Sequence, residues 1–457
     1  MATTQENEEV KSWERISDLL RQEDKVLLED YIESISTREL VRALSHMSAE
    51  DQTHLLTLLS PDYSAYLLEE IPDVQASKLI EKLPVSEAAT ILNEMQSSEQ
   101  ADLLATLSDV NAEAILAEMK PEEAEDARML LSYEPDVAGG LMITEYLAFK
   151  TTDVVKDVVE NMTENADTYS DYHVQYIYVV SKAGKLEGVL RIRDLLLSRP
   201  STVLSSIMIS KPLSVPIQMG LDALLTFFED HEFFGVPVVD EQHHMMGVVL
   251  RRDVLEAAAS RSDFEHMRTQ GIIGGEELRT MPVWLRSRRR LSWLSVNIVL
   301  NIIAASVIAL YQDTLSSVIA LAVFLPIISD MSGCSGNQAV AVSMRELSLN
   351  IIKPFEVFRV WWQEISVGLI NGSVLGILVG LAAWLWKGNP YLGMVVGGSL
   401  ALNTLVAVSL GGSIPLILKR LGMDPALASS PILTTITDMF GFFLVLSFAT
   451  AVLPLLQ

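Results

Sequence analysis

From residue 286 onward the chain is nearly free of charge, and this bounds every fold open to it. Residues 286–457 carry ten Lys or Arg and seven Asp or Glu, a net +3, so the formal −26 of the whole chain leaves −29 on residues 1–285. Stretches 291–312, 365–386 and 388–418 hold no Asp, Glu, Lys or Arg; 314–344 holds only Asp330 and 425–457 only Asp438. About 20 apolar residues cross the hydrocarbon core of a bilayer as a helix, so the pattern predicts five membrane helices and excludes a wholly soluble protein. An acidic remainder of −29 repels phosphate, which argues against nucleic acid as a partner.

The loops set an orientation. Arg286, Arg288, Arg289, Arg290, Arg345, Lys353, Arg359, Lys419 and Arg420 fall on one side and Lys387 alone on the other. The positive-inside rule then puts the N-terminus in the cytoplasm and the C-terminus outside. A start without a basic or apolar segment is not expected to be a signal peptide. A single cysteine, Cys334, allows no intrachain disulfide.

The acidic part contains two repeat systems. A twelve-residue period places Met47, Leu59, Ile71, Leu83, Met95, Leu107 and Met119 in phase, with Leu55, Leu67, Leu79, Ile91, Leu103 and Ile115 in a second phase. Ser60, Pro72, Pro84 and Ser108 follow the first set and are helix-start residues. Units of two turns bury no core alone, so they are expected to stack as an α-solenoid. Outward acids such as Glu69, Glu70, Glu81 and Glu94 read as a solvated face or, more sharply, a divalent-ion face. Farther on, Val179, Val180, Gly188, Val189, Asp194 and Leu196 recur 59 residues later as Val238, Val239, Gly247, Val248, Asp253 and Leu255. Each copy reads strand, turn, strand, helix, which predicts two α/β modules in tandem.

Asp438 carries the most chemistry. An ionised carboxylate at mid-membrane costs on the order of 3 kcal/mol or more, so it must face water or a partner. Ser430, Thr434, Asp438 and Gly441 form one helical stripe. Asp330, Cys334, Asn337 and Ala341 form another, beside Gly333 and Gly336. Carboxylates, amides and hydroxyls are hard ligands that suit Mg²⁺ or Ca²⁺ rather than Zn or Cu. Thus Asp438, Asp330, Asn337 and Thr434 are candidate cation contacts, and Ser430, Gly441, Cys334 and Gly336 candidate pore-lining residues. Neither a phosphate-binding G-x-x-x-x-G-K-[ST] loop nor an H-E-x-x-H pair occurs, and no enzymatic role is expected.

Three segments carry a resemblance: Asp136-Val137-Ala138-Gly139-Gly140-Leu141-Met142, Pro326 with Gly336-Asn337-Gln338, and Arg420 to Leu427 leading to Thr434-Thr435-Ile436-Thr437-Asp438-Met439-Phe440-Gly441. In these, and in the order of its parts, the chain resembles the MgtE family of bacterial Mg²⁺ channels. The resemblance implies an acidic helical N domain over 1–137, CBS modules over 138–200 and 201–261, a connecting plug helix region over 262–285, and a five-helix pore domain over 286–457. It further implies a homodimer in the inner membrane that moves hydrated Mg²⁺ inward, with selection at Asp438 and cation binding at Asp424. In the family, acids after the second CBS module sense cytoplasmic Mg²⁺; those left for the role here are Asp253, Glu256, Asp263 and Glu265, among Ala257, Ala258, Ala259 and Arg261. CBS modules that hold adenine nucleotides carry Ser or Thr three residues before the helix-starting Asp. Arg191 and Leu250 stand there instead, which speaks against ATP. The runner-up to a passive channel is an ion-coupled carrier or exporter using Asp330 and Asp438; a non-conducting receptor ranks third.

Overall fold

Ser36, Ser48 and Ser108 each accept a backbone N–H three residues on, from Glu39, Asp51 and Asn111, and so start a helix. The computed structural model describes residues 12–169, 172, 175–269, 271, 272, 277, 279, 281–349 and 351–456. They form two compact units, one ending at Arg261 and one beginning at Ser262.

The first unit opens with helices α1 (Ser12–Gln22), α2 (Lys25–Ser34), α3 (Thr37–His46), α4 (Ala49–Leu58), α5 (Pro61–Glu69), α6 (Asp73–Ile80), α7 (Val85–Leu92), α8 (Ser97–Thr106), α9 (Asp109–Glu118) and α10 (Pro121–Leu131). From α3 onward each begins twelve residues after the last, so the structural period starts before the apolar period becomes visible at Met47. Met47, Leu59, Ile71, Leu83, Met95, Leu107 and Met119 are all buried, as is the phase that begins at Leu55, in one continuous core. From α5 to α10 each helix also packs on the one two places along, which is how two-turn units obtain a core.

The α/β part follows: α11 (Ala138–Leu141), β1 (Met142–Ile143), β2 (Leu147–Lys150), α12 (Val155–Glu164), α13 (Ala166–Tyr169), β3 (Tyr176–Val180), β4 (Leu186–Arg191), α14 (Ile192–Leu196), β5 (Ile209–Ser210), β6 (Val215–Pro216), α15 (Leu221–Asp230), β7 (Gly235–Val239), β8 (Met245–Leu250) and α16 (Arg251–Thr269). The sheets run β2-β3-β4-β5 and β1-β8-β7-β6. The 59-residue repeat is β3-β4-α14 against β7-β8-α16, with the same register shift at Val179/Val180 and Val238/Val239. Each module lends the other a strand: β1 pairs with β8, and β5 with β4. A module division at residue 200 therefore follows the repeat and not the sheets.

In the second unit α16 continues to Thr269, and the next helix, α17 (Val283–Leu310), begins only after the expected connecting region of 262–285 is nearly over. Among the described residues that region has no separate helix. Glu277, its side chain 3% exposed, accepts from Arg290 Nε at 2.9 Å and approaches Arg286, so two of the four arginines before the first membrane helix are engaged locally. Then come α18 (Gln312–Ser317), α19 (Leu321–Ser348), α20 (Val357–Lys387), α21 (Pro390–Arg420), α22 (Pro425–Ala451) and α23 (Leu453–Leu456).

Among the described residues four helices are long and apolar enough to span a membrane: α17, α20, α21 and α22 from Ala428. α19 is 28 residues long, but Ser329, Asp330, Ser332, Ser335, Asn337 and Gln338 interrupt its apolar run. The uncharged stretch from residue 314 is broken by α18, whose Thr314 hydroxyl meets that of Thr450 at 2.7 Å. α21 forms the centre and packs on α19, α20 and α22. α20 meets it through Gly368, Gly372, Gly376 and Gly380; a Cβ on Gly376 would lie 2.5 Å from the Gly397 carbonyl. Small residues at four-residue spacing permit such close backbone approach.

Candidate cation site

α19 and α22 meet along their polar stripes. Ser329 Oγ donates to Asp438 Oδ1 at 2.5 Å. One turn on, Gly333 faces the Thr434 methyl, and a Cβ on Gly336 would lie 2.9 Å from Leu433. Asp438, Thr434 and Ser430 are half-buried, so the stripe borders open space on one side. The Thr434 hydroxyl donates to the Ser430 carbonyl at 3.0 Å, which leaves its lone pairs outward as a hard acceptor. Among the described residues no cluster of three or more His, Cys, Asp or Glu is arranged to hold a metal.

Asp330 and Cys334 are exposed and Asn337 is half-buried, on the α19 face that leads away from the helix core. Gly336 and Gly441, expected to line the pore, are buried instead. A Cβ on Gly336 would also sit 2.9 Å from the Ala407 carbonyl, and one on Gly441 2.6 Å from Asn403 Nδ2. Both glycines let α21 approach, which is a packing duty.

The sequence reading missed the support behind the carboxylate. Asn403, fully buried on α21, donates through Nδ2 to Ser332 Oγ at 2.5 Å, and Ser332 donates to the Ile328 carbonyl. These bonds join α21 to α19, and Ser329, three residues before Ser332, separately joins α19 to Asp438 of α22. An Asn amid the apolar run of 388–418 was the available signal, since a buried amide in lipid needs a reason. Asp424 caps α22, accepting the Ala426 N–H at 2.8 Å, and its other oxygen forms an ion pair with Arg268.

In the first unit, Glu69, Asp73, Glu99, Asp102 and Glu256 lie within electrostatic reach of one another. Burial and the repulsion of these like charges push the Glu99 carboxyl up to about 8. Of the four expected regulatory acids, Glu256 joins this cluster; Asp253 accepts from Arg252 at 2.9 Å, and Asp263 is exposed and Glu265 half-buried farther along α16. Arg261 forms an ion pair with Asp222 of α15.

These parts define a membrane protein in which an acidic α-repeat and a tandem α/β pair precede an apolar helix bundle with a polar seam. Family profiles match "MgtE intracellular N domain" over residues 35–136, "CBS domain" over 137–200 and 204–260, and "Divalent cation transporter" over 325–448. The magnesium transporter MgtE of Thermus thermophilus is 32% identical over 340 residues, 73% of this chain and 74% of that protein. The crystal structure of the soluble part of a magnesium transporter shares the fold at 23% identity, covering 56% of this chain and 99% of that one with a TM-score of 0.51. The cytosolic domain of the Mg²⁺ channel MgtE in complex with ATP is 28% identical, covering 53% of this chain and 98% of that one with a TM-score of 0.49. The chain belongs to the MgtE family of Mg²⁺ transporters.

Proposed function

We propose that the chain is a passive Mg²⁺ channel of the inner membrane, with its N-terminus in the cytoplasm and its C-terminus outside. The observation that carries this reading is Asp438: a carboxylate on a polar stripe inside an apolar bundle, oriented by Ser329. Such a carboxylate attracts a divalent ion at outer-shell distance, and Mg²⁺ surrenders water reluctantly. α19 spans the membrane as a fifth helix, because its exposed Asp330 and Cys334 face is intolerable in lipid and acceptable against a second copy. Two copies then bring two Asp438 side chains to one aqueous path. Inward movement of a +2 ion gains about 4.6 kcal/mol per 100 mV, so no nucleotide hydrolysis is required.

The Glu69, Asp73, Glu99, Asp102 and Glu256 cluster is the cytoplasmic sensor in this reading, since a divalent ion relieves the repulsion that these groups impose on one another. Single-channel recording in planar bilayers tests the mechanism. Unitary Mg²⁺ currents without a counter-ion gradient are expected; slow flux that demands a proton or sodium gradient would replace the channel with a carrier.

A further inference from the structure

Asn403 of α21 is fully buried and touches both helices that carry the candidate cation site. Toward α19, its Nδ2 donates to Ser332 Oγ at 2.5 Å, three residues beyond Ser329. Toward α22, the same nitrogen fills the place of a side chain at Gly441: a Cβ there would lie 2.6 Å from Nδ2 and 3.2 Å from Cγ. Gly441 is three residues beyond Asp438. Ser329 and Asp438, which bond to each other, thus each stand nearly one helical turn before a contact with this one amide. The other end of the amide shows that it is not there for stability. Asn403 Oδ1 is buried and has no hydrogen-bond partner among the described residues. An unpartnered buried acceptor costs stability, and an apolar side chain of similar size avoids that cost. One turn to either side on α21 stand Leu400 and Ala407, fully buried and apolar.

We propose that Asn403 is a positioning residue for ion selection: its amide is a spacer between α19 and α22 that fixes where the Asp438 carboxylate stands. The inference rests on the reading that Asp438 lines a Mg²⁺ path. Ser329 aims the carboxylate from α19, and Asn403 sets how far α19 stands from α22, so the two residues control different coordinates. Mg²⁺ demands near-ideal octahedral geometry and keeps its waters, whereas Ca²⁺ accepts six to eight oxygens in flexible arrangements. A carboxylate held at one distance favours the ion of fixed geometry. One that is free to shift suits Ca²⁺ as well. The amide is planar, and its freedom is limited by Ser332 on one side and the Gly441 backbone on the other. Gly441 admits the amide, and a methyl group at that position would have to displace it.

The test pairs two measurements on the full-length protein: Mg²⁺ and Ca²⁺ entry into proteoliposomes, and the melting temperature in detergent. Asn403→Leu removes the spacer's bond and its orphaned acceptor together, and Ser332 keeps its bond to the Ile328 carbonyl, so no new group is stranded. The melting temperature should stay at or above that of wild type, while discrimination of Mg²⁺ over Ca²⁺ should fall roughly three- to tenfold, the scale of one net hydrogen bond. Gly441→Ala should lower discrimination by displacing the amide. Combining it with Asn403→Ser, whose shorter side chain makes room, should recover more discrimination than the two single changes predict, a coupling that independent sites do not show. If wild type discriminates and Asn403→Leu discriminates equally, or if the Gly441 and Asn403 changes are additive, the spacer is refuted while the path stands. A melting temperature that falls in step with discrimination across all variants would make Asn403 a residue of stability and refute the spacer as well. If wild type carries no Mg²⁺, or Asp438→Ala carries it as fast, the path fails and the spacer with it.

Discussion

Ser329 of α19 donates its hydroxyl to the Asp438 carboxylate of α22, so the charge that matters most in the bundle is aimed by a neighbouring helix. A hydrogen bond to a charged group contributes about 1.5–3 kcal/mol when it is fully expressed. Ser329→Ala should therefore keep the protein folded but loosen the carboxylate, lowering discrimination of Mg²⁺ over Ca²⁺ by roughly three- to tenfold. Reversal potentials under bi-ionic conditions measure this, and unchanged discrimination would reduce Ser329 to a packing residue.

Asp330 neighbours that serine but lies exposed, on the face it shares with Cys334. In the proposed channel it is a second carboxylate beside the path, at the level of Ser329, and attracts cations there. Asp330→Asn should reduce Mg²⁺ flux at low ionic strength by about twofold or more and weaken block by larger divalent cations, with a smaller effect at high salt. Insensitivity of both readings to the substitution would place Asp330 outside the path.

Glu99 gives the soluble part a pH dependence of definite sign. Its folded carboxyl titrates at about 8, above the ordinary 4.5. The folded state therefore holds a proton that the unfolded state releases. That contribution is fully present below about 4.5 and is lost as pH rises toward 8 and beyond. The melting temperature of the full-length protein in detergent should fall between pH 6 and 9 without divalent ions. Mg²⁺ should restore it more at pH 9 than at pH 6, and Glu99→Gln should flatten both trends.

Packing between α20 and α21 is tested by two glycines. A side chain on Gly376 would press on the Gly397 carbonyl at 2.5 Å, whereas Gly398 has nothing within 4 Å of its missing Cβ. Overpacking typically costs about 1–3 kcal/mol. Gly376→Val should lower the melting temperature and the yield of folded protein, while Gly398→Ala should leave both unchanged; similar behaviour of the two would contradict the close approach.

Legibility in the sequence followed the length scale of the signal. The twelve-residue period predicted the buried face of the helical repeat because each unit repeats the same packing problem, and Met47 through Met119 are buried as that pattern requires. The 59-residue repeat located β3-β4 and β7-β8 but not the exchanged strands β1 and β5, which are two residues long and owe their place to distant partners. In the bundle, helical spacing identified the stripe of Asp438, yet it assigned Gly336 and Gly441 to the pore. A glycine on a stripe carries no sign of whether water or another backbone stands opposite, and here α21 does. Ser329 and Asn403 escaped for a related reason: their value lies in hydrogen bonds across helices, to Asp438 and Ser332, which spacing along one helix does not contain.

The most direct measurement is Mg²⁺ entry into liposomes reconstituted with wild type or Asp438→Ala, compared after both proteins are shown to share one oligomeric state and melting profile. Wild type should admit Mg²⁺ down its gradient and faster with the interior negative, and Asp438→Ala should fall to the leak of empty liposomes. Entry through Asp438→Ala at the wild-type rate would contradict the account.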